Sequence, residues 1–259
     1  MHIRLKQALV VGVAATAAGG IGTQSASAGP SATSGAPATT AASPALVGVQ
    51  GIDVSKGSGV INWRTVYSKG IRFAYIRATY GASGRYFADP KFKPNLKGAI
   101  QAGMVRGAYH YARPNQSSGA VQAQRFLFVS GGLPKTTRTL PGALDMEGST
   151  NCYGLRTQAR MRAWIKDFAG TYRHITGRYP VIYTSKGWWS QCVGAWRPAG
   201  SPLWVASWRH DRPTMPPGWG PWTFWQHTKD VPFAGATGKV DRDRWYGTLK
   251  SLYAYADNR

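Results

Sequence analysis

From about residue 49 onwards, short apolar runs bounded by turn residues alternate with longer segments in which apolar residues recur at helical spacing. The apolar runs predict strands at 49–54, 73–78, 106–111, 142–146 and 181–184. The segments between them predict helices at 62–69, 92–102, 120–129 and 157–175. Three further short strands are predicted at 203–206, 223–226 and 239–241, with little helix between them.

The order of these elements predicts the fold class. Strands that alternate with helices form a mainly parallel sheet, and eight such strands close most simply into a barrel. Helices become sparse after the fifth predicted strand. We therefore expect an α/β protein with a modified (β/α) barrel whose outer helices are reduced in the last third of the chain.

The beginning of the chain differs in composition from the rest. Two basic residues precede an apolar run of small residues at 7–22, and Ser-Ala-Ser-Ala follows, a pattern typical of a secretory signal. The next segment consists almost entirely of Ala, Ser, Thr, Gly and Pro, which predicts a disordered linker. We expect a signal peptide at 1–28, a linker at 29–46, and an exported, monomeric domain at 47–259 without a membrane span.

The charge balance narrows the possible partners. The chain has 32 Lys plus Arg against 10 Asp plus Glu, and the predicted leader contains two of the basic residues and none of the acids, so the mature chain has a formal charge of +20. Such a charge favours an anionic partner, which after export means nucleic acid, lipid head groups or wall polymers. Net charge alone does not choose among them, and a surface adapted for solubility is the alternative.

Two cysteines, Cys152 and Cys192, are present. An even number of cysteines in an oxidising compartment predicts a structural disulfide. Neither cysteine has a Cys-x-x-Cys partner, which argues against catalytic thiol chemistry.

Glu147 is the sole glutamate of the chain, and it follows the fourth predicted strand in Leu-Asp-Met-Glu-Gly. Residues i and i+2 of a strand point to the same face, so Asp145 and Glu147 should project together while Met146 faces the helices. At the carboxyl end of a barrel strand, such a pair suits acid–base work on a glycosidic bond. Helix capping or cation binding by the same pair is the alternative.

Two more acids should reach the same rim. Asp53 ends the first predicted strand and Asp241 ends the last, and these two strands are neighbours in a closed barrel. Each acid could instead cap a loop or pair with an arginine. Their coincidence with Asp145 and Glu147 favours a catalytic site.

Aromatic residues are dense near the predicted strand ends, where they either fill the barrel or stack on sugar rings. Tyr111, Tyr183 and Trp208 lie at or beyond strand ends and are our candidate substrate-binding residues. His110 lies between two residues that should point inward, so we expect it to face outward as a structural histidine.

Several chemistries have no motif in this sequence. It contains no His-Glu-x-x-His, no Gly-x-Ser-x-Gly, no phosphate-binding loop and no zinc-like cluster of Cys and His. We therefore expect no metal and no cofactor.

From about 49 to 249 the sequence resembles glycoside hydrolase family 25, the Ch-type lysozymes or muramidases. The resemblance rests on the Asp145-x-Glu147 pair together with the segments 51–55, 73–79, 107–111, 180–184, 225–227 and 240–243, taken in order and spacing. It implies a modified β/α barrel that cleaves the β-1,4 bond between N-acetylmuramic acid and N-acetylglucosamine in peptidoglycan.

The resemblance also implies roles for individual residues. Glu147 is similar to the general acid of the family, Asp145 to its companion, and Asp53 and Asp241 to the remaining acids of the groove. Where many members have an acid after the Ala-Thr of the second strand, this chain has Tyr80. No wall-binding repeat is recognisable, so the basic surface would have to bring the domain to anionic wall polymers.

Two other functions are the alternatives to a lysozyme. A non-catalytic wall- or glycan-binding protein would use the aromatic residues and the charge, but it would not need Asp145 and Glu147 together. A secreted nuclease would explain the charge, but it would need a metal-binding His/Asp set that the five histidines do not supply. We expect no nucleic-acid partner. A carboxylate nucleophile, inversion, and help from the 2-acetamido group of the substrate are all open as reaction routes.

Overall fold

Residues 48–84, 87–132, 137–155, 157–209 and 211–257 are described by a computed structural model of the chain. They form a closed eight-stranded barrel with helices packed around it, which confirms the predicted α/β barrel. The predicted signal peptide at 1–28 and linker at 29–46 lie outside the described residues. Among the helices that are described, none combines the length and the apolarity needed to cross a membrane.

The barrel strands follow one another around the barrel in chain order. They are β1 (Val49–Val54), β2 (Phe73–Tyr80), β3 (Val105–Tyr111), β4 (Ala143–Asp145), β5 (Val181–Ser185), β6 (Leu203–Ala206), β7 (Phe224–Pro232) and β8 (Lys239–Trp245). Neighbouring strands from β1 to β7 are parallel, whereas β8 runs antiparallel to both β7 and β1. The sequence pattern did not predict this reversal, and it decides which side chains of β8 reach the mouth of the barrel.

One α-helix follows each of the first five strands, and a sixth follows β8. They are α1 (Trp63–Ser68), α2 (Phe92–Gln101), α3 (Gly119–Ser130), α4 (Gln158–Thr176), α5 (Lys186–Cys192) and α6 (Leu249–Ala256). Between α5 and α6 the described residues contain no helix, which confirms that the outer helices are reduced in the last third. The sequence pattern predicts the first four of these helices to within two residues, but it did not predict α6.

Side-chain caps explain where the predicted helices begin and end. The side chains of Asn62, Ser118 and Thr157 each accept a hydrogen bond from a backbone N–H of the first turn, at 3.1 to 3.3 Å. These bonds satisfy donors that have no partner within the helix. Gly131 and Gly177 end α3 and α4 with φ of 73° and 69°, in the left-handed region that favours glycine.

Aromatic side chains fill the interior of the barrel. Tyr75 stacks on Trp204 with ring centroids 4.7 Å apart, and Phe224 meets Tyr75 edge-on at 5.4 Å. A Cβ atom at Gly51 would lie 2.3 Å from the ring of Phe73, so a residue without a side chain is needed there. This filling supports the mouth at the carboxyl ends of the parallel strands, where polar side chains collect.

His110 faces outward, as predicted, and is fully buried between the sheet and the helices. Its ring stacks on Phe168 at 5.4 Å, and its Nε2 and Nδ1 atoms lie 2.8 Å from Gln122 Oε1 and 2.7 Å from Thr79 Oγ1. Burial lowers the pKa of His110 to about 4, so the ring is neutral at physiological pH. The prediction of a structural histidine is confirmed.

The predicted disulfide between Cys152 and Cys192 is present and joins Cα atoms 5.4 Å apart. It links the loop that follows β4, which carries Glu147, to the last residue of α5. Among the described residues no cysteine is free. The bond therefore holds the segment next to the acid pair against the outer helix layer.

Replacing both cysteines by serine should lower the free energy of unfolding by about 3 to 4 kcal/mol, because the bond closes a long loop and restricts the unfolded chain. Urea unfolding of the parent and of the Cys152→Ser/Cys192→Ser variant measures the difference. The same parent after reduction is the control and should match the variant. Two alkylatable thiols in the native, unreduced protein would contradict the assignment of the bond.

Candidate active site

The carboxyl groups predicted for the site meet at one end of the barrel. Asp53 is the fifth residue of β1, and Asp241 stands directly opposite it on β8. The prediction that Asp241 ends its strand is wrong, because Asp241 is the third residue of β8. Since β8 runs in the opposite direction, its beginning lies at the rim where the parallel strands end, and the expected proximity to Asp53 results.

Asp145 and Glu147 approach the same rim from β4. Asp145 is the last residue of the strand and is 4% exposed, whereas Glu147 lies two residues further on and is partly exposed. The intervening Met146 is fully buried among the residues that pack under the helices, as predicted. The backbone oxygen of Glu147 accepts a hydrogen bond of 2.6 Å from the hydroxyl of Tyr153, which holds the segment after the strand.

The side chain of Gln226 forms hydrogen bonds both with acids and with aromatic residues at the mouth of the barrel. Its Nε2 atom donates to Asp53 Oδ2 at 2.8 Å and to Asp241 Oδ2 at 3.3 Å. Its Oε1 atom accepts from the hydroxyl of Tyr183 at 2.9 Å and from the indole N–H of Trp208 at 3.0 Å. The sequence alone does not reveal Gln226 as a site residue, because only the three-dimensional structure shows that one amide hydrogen-bonds to four side chains.

Asp243 is a further acid of the cluster, in addition to the four that the sequence predicts. It is fully buried, and its Oδ1 atom accepts a hydrogen bond of 2.8 Å from the indole N–H of Trp204. The signal for it was present, since Asp243 follows Asp241 by two positions and must share its face of β8. It lies deeper in the barrel than Asp241, paired with Gly51 of β1.

Glu147 has the properties of a proton donor near neutral pH. Burial, followed by the nearby Asp241, raises the pKa of Glu147 to about 7, and the Lys229 ammonium opposes this increase. A carboxyl group with such a pKa is largely protonated in mildly acidic solution and can still release its proton when a neighbouring oxygen needs it.

The other acids restrain one another's ionisation. Burial and then Glu147 raise the pKa of Asp145, while the Arg77 guanidinium lowers it. Burial and then Asp243 raise the pKa of Asp53. Asp243 itself has a raised pKa because it is buried without an opposing cation among its main influences. Because ionisation of one carboxyl group makes ionisation of its neighbours less favourable, the cluster retains protons that separate acids would lose.

The predicted substrate-binding aromatics lie at the mouth, but in different settings. Trp208 is 51% exposed, and the ammonium of Lys229 stands 3.9 Å from its ring. Tyr111 is partly exposed and stacks on Tyr80 at 4.8 Å. Tyr183 is only 5% exposed and offers mainly its hydroxyl, which Gln226 already engages. Its geometry suits holding Gln226 better than stacking on a sugar ring.

A cleft of about 270 Å³ opens beside the acids. Asp53, Tyr109, Asp230, Lys239 and Asp241 contribute to its lining. The backbone N–H of Asp230 donates to Asp241 Oδ1 at 2.7 Å, so the β7–β8 hairpin shapes this wall. Within the described part of the chain, His, Cys, Asp and Glu side chains form no group of three or more that could hold a metal ion.

Comparisons with known proteins find relatives of this chain in one family. Residues 52–236 match the family model described as glycosyl hydrolases family 25. The chain is 47% identical over 216 residues to Lysozyme M1 of Streptomyces globisporus, covering 82% of this chain and 72% of that protein. It is 38% identical over 213 residues to an N,O-diacetylmuramidase of Arthroderma benhamiae, covering 80% of this chain and 86% of that protein. The crystal structure of a bacterial lysozyme from Streptomyces coelicolor superposes with a TM-score of 0.78 at 46% identity, covering 83% of this chain and 99% of that one.

The raised pKa values predict how stability depends on pH. Asp53, Asp145 and Asp243 bind their protons more tightly in the folded than in the unfolded state, so stability should fall as pH rises from about 4, where unfolded carboxyls titrate. Asp243→Asn keeps the oxygen that Trp204 needs and removes the charge. It should therefore raise the thermal midpoint at pH 7.5 and change it much less at pH 4.5, as measured by calorimetry.

The exposed Asp211 supplies the control for this experiment. Asp211→Asn removes the same formal charge outside the cluster and should leave the pH dependence of the parent intact. An Asp243→Asn variant that was destabilised equally at both pH values would contradict a buried charge at this position.

Proposed function

Because the chain belongs to glycosyl hydrolase family 25, we propose that it is a lysozyme that hydrolyses the β-1,4 bond between N-acetylmuramic acid and N-acetylglucosamine in peptidoglycan. The observation that carries the proposal is the carboxyl cluster, in which Glu147 has a pKa of about 7 at the open mouth of the barrel. A protein that only bound glycans would gain nothing from crowding buried acids at its binding surface, since each costs stability.

Glu147 is the general acid in this proposal. It is partly exposed while its neighbours Asp145 and Met146 are buried, so it is the member of the pair that a glycosidic oxygen can reach. Protonating that oxygen makes the departing sugar a neutral alcohol. The bond between the anomeric carbon and the oxygen then breaks with positive charge developing on the sugar ring. By the end of the reaction the oxygen of a water molecule is bonded to the anomeric carbon, and a proton from that water has restored the Glu147 carboxyl group.

Asp145 stabilises that developing charge. Its Oδ1 atom is buried and has no hydrogen-bond partner among the described residues, so it is available to the substrate. Proton loss from Asp145 is favoured by the Arg77 guanidinium, which itself pairs with Asp89 at 2.9 Å. The free oxygen is suited either to face the anomeric carbon or to accept a hydrogen bond from the 2-acetamido N–H of the substrate.

Asp53 and Asp241 support Glu147 rather than reacting themselves. Gln226 ties both carboxyl groups to one amide, which fixes their orientation. Asp241 is the neighbouring charge that most raises the pKa of Glu147. Removing Asp241 should therefore lower that pKa and move the acidic form of the enzyme to lower pH.

The proposal extends to where and on what the enzyme acts. We propose export through the leader at 1–28, with the linker at 29–46 joining it to the catalytic domain at 47–259, which acts as a monomer. The formal charge of +20 on the mature chain would concentrate the domain on anionic wall polymers.

Glu147→Gln is the direct test of the catalytic assignment. The amide keeps the shape of the side chain but cannot protonate the leaving oxygen, so cleavage of purified peptidoglycan should fall by about 10² to 10⁴ with an unchanged fold. Clearing of a peptidoglycan suspension gives the rate. Reducing-end analysis of the products should find N-acetylmuramic acid in the parent digest, which separates muramidase from glucosaminidase and amidase activity.

The pH profile gives the same test a second readout. The parent should lose kcat/KM as pH rises through about 7, because Glu147 must be protonated to act. The Asp211→Asn variant should keep both the rate and the profile. Near-normal turnover by a folded Glu147→Gln variant would remove Glu147 from the role of general acid.

Salt should separate wall attraction from bond cleavage. Exposed charges act over about 8 to 10 Å at physiological ionic strength, so binding of the parent to intact cell walls should weaken steeply as salt is added. Cleavage of a short, neutral glycan should change much less, because its chemistry takes place within the partly buried site. A pelleting assay measures wall binding. If binding did not respond to salt, the affinity would come from the aromatic residues of the groove and not from the exposed charges.

A further inference from the structure

A second cleft, of about 490 Å³, lies at the ends of β2, β3 and β4 and has a different charge from the first. Its lining includes Tyr80, Tyr111, Arg113, Ser149 and Tyr153. Whereas the first cleft is lined by acids together with Lys239, Arg113 is the one charged residue that lines the second cleft among the described residues. The mouth of the barrel is therefore electrically asymmetric.

The Arg113 guanidinium lies between two tyrosine rings. Its Cζ atom is 5.3 Å from the ring centroid of Tyr80 and 5.4 Å from that of Tyr153. Nη1 donates a hydrogen bond to the Tyr80 hydroxyl. Nε is buried and has no partner among the described residues, and no acid of those residues forms an ion pair with Arg113. The charge is thus held in place without being neutralised.

The backbone of Arg113 is fixed by Gln122 of α3. The Gln122 side chain accepts from the Arg113 N–H at 3.1 Å and donates to the Arg113 oxygen at 2.7 Å. Because Gln122 Oε1 is the acceptor, the neutral His110 ring must donate to it from Nε2 and accept the Thr79 hydroxyl at Nδ1. A hydrogen-bond network through His110 and Gln122 therefore preorganises the backbone of Arg113.

The cleft adjoins the proposed general acid. The Tyr153 hydroxyl, which borders the cleft, donates to the backbone oxygen of Glu147. Burial raises the pKa of Tyr153 to about 12, so this phenol keeps its proton. The Tyr80 hydroxyl accepts from Arg113 and still has its own proton to donate. An anion in the cleft would thus meet a guanidinium and a hydroxyl donor.

Resting on the proposed function, we propose that Arg113 and Tyr80 form a subsite for the carboxylate that the N-acetylmuramic acid residue carries on its 3-O-lactyl group, either as the free lactyl carboxylate or within the peptide joined to it. Arginine pairs with carboxylates in a planar, two-pronged geometry. The acids around Asp53 and Asp241 repel such a group, and Arg113 attracts it. The asymmetry therefore selects the end of the groove at which the muramic acid substituent lies.

The test compares matched glycans. The first is peptide-free glycan with free lactyl carboxylates, and the second is the same glycan with those carboxylates converted to neutral amides. A second pair carries stem peptides with free or amidated carboxylates, which distinguishes the two sources of the anion. The parent should show a kcat/KM about 10- to 100-fold higher on the charged member of at least one pair.

Arg113→Gln should abolish that ratio while retaining cleavage of the amidated glycans. Tyr80→Glu should do the same, because a carboxylate placed against the guanidinium occupies the anion site from within the protein. Arg173→Gln is the matched control. Arg173 also stacks on a tyrosine, Tyr179, at 4.1 Å and donates to its hydroxyl, but it belongs to α4 and lines neither cleft.

The outcomes separate this subsite from the proposed function. A parent that preferred neither charged glycan, or an Arg113→Gln variant that lost activity equally on charged and amidated glycans, would overturn the subsite and leave the lysozyme intact. Calorimetry on the Glu147→Gln variant measures the affinity for the charged and the amidated glycans without cleavage, and the ratio of these affinities tests the subsite directly. If the parent cleaved none of the glycans, the proposed function would fail, and the binding ratio would still decide the role of Arg113.

Discussion

Crowding of buried carboxyl groups at the mouth of the barrel is the constraint on which the active site depends. Glu147 acquires a pKa of about 7 because it is partly removed from water and lies near Asp241. Asp53 and Asp243 add to the crowding below it. A single acid at the surface would lose its proton well below neutral pH. We infer that the loss of stability at this rim is tolerated because the same crowding gives Glu147 the pKa that the proposed proton donor needs.

The rest of the fold supplies the rigidity that such crowding requires. The stacked rings of Tyr75 and Trp204 fill the barrel beneath the acids, and the Trp204 indole also donates to Asp243. Gln226 hydrogen-bonds to Asp53 at the mouth, and the disulfide between Cys152 and Cys192 attaches the loop that follows Glu147 to α5. Each of these contacts reduces the freedom of the acids to move apart, which would otherwise relieve their repulsion.

Charge is distributed unevenly around this centre. The chain as a whole is strongly basic, yet the groove beside Asp53 and Asp241 is acidic, and the neighbouring cleft contains Arg113. The long-range attraction to an anionic wall and the short-range orientation of one glycan that we propose therefore depend on different groups. The first depends on exposed charges that salt screens, and the second on a few partly buried groups that salt affects less.

The sequence by itself determined the order of the elements, the eight-stranded barrel and the disulfide, because these follow from periodicity and residue type. Only the tertiary structure decided the direction of β8. The polar second half of β7 has no apolar pattern, so the sequence does not reveal how long this strand is. Because β7 extends to Pro232 and β8 begins at Lys239, too few residues lie between them for a crossover connection. The two strands therefore form an antiparallel hairpin. That reversal placed Asp241 at the rim and Asp243 below it. The roles of Gln226 and Arg113 were equally hidden, because hydrogen bonds and stacking between residues distant in the chain leave no local pattern.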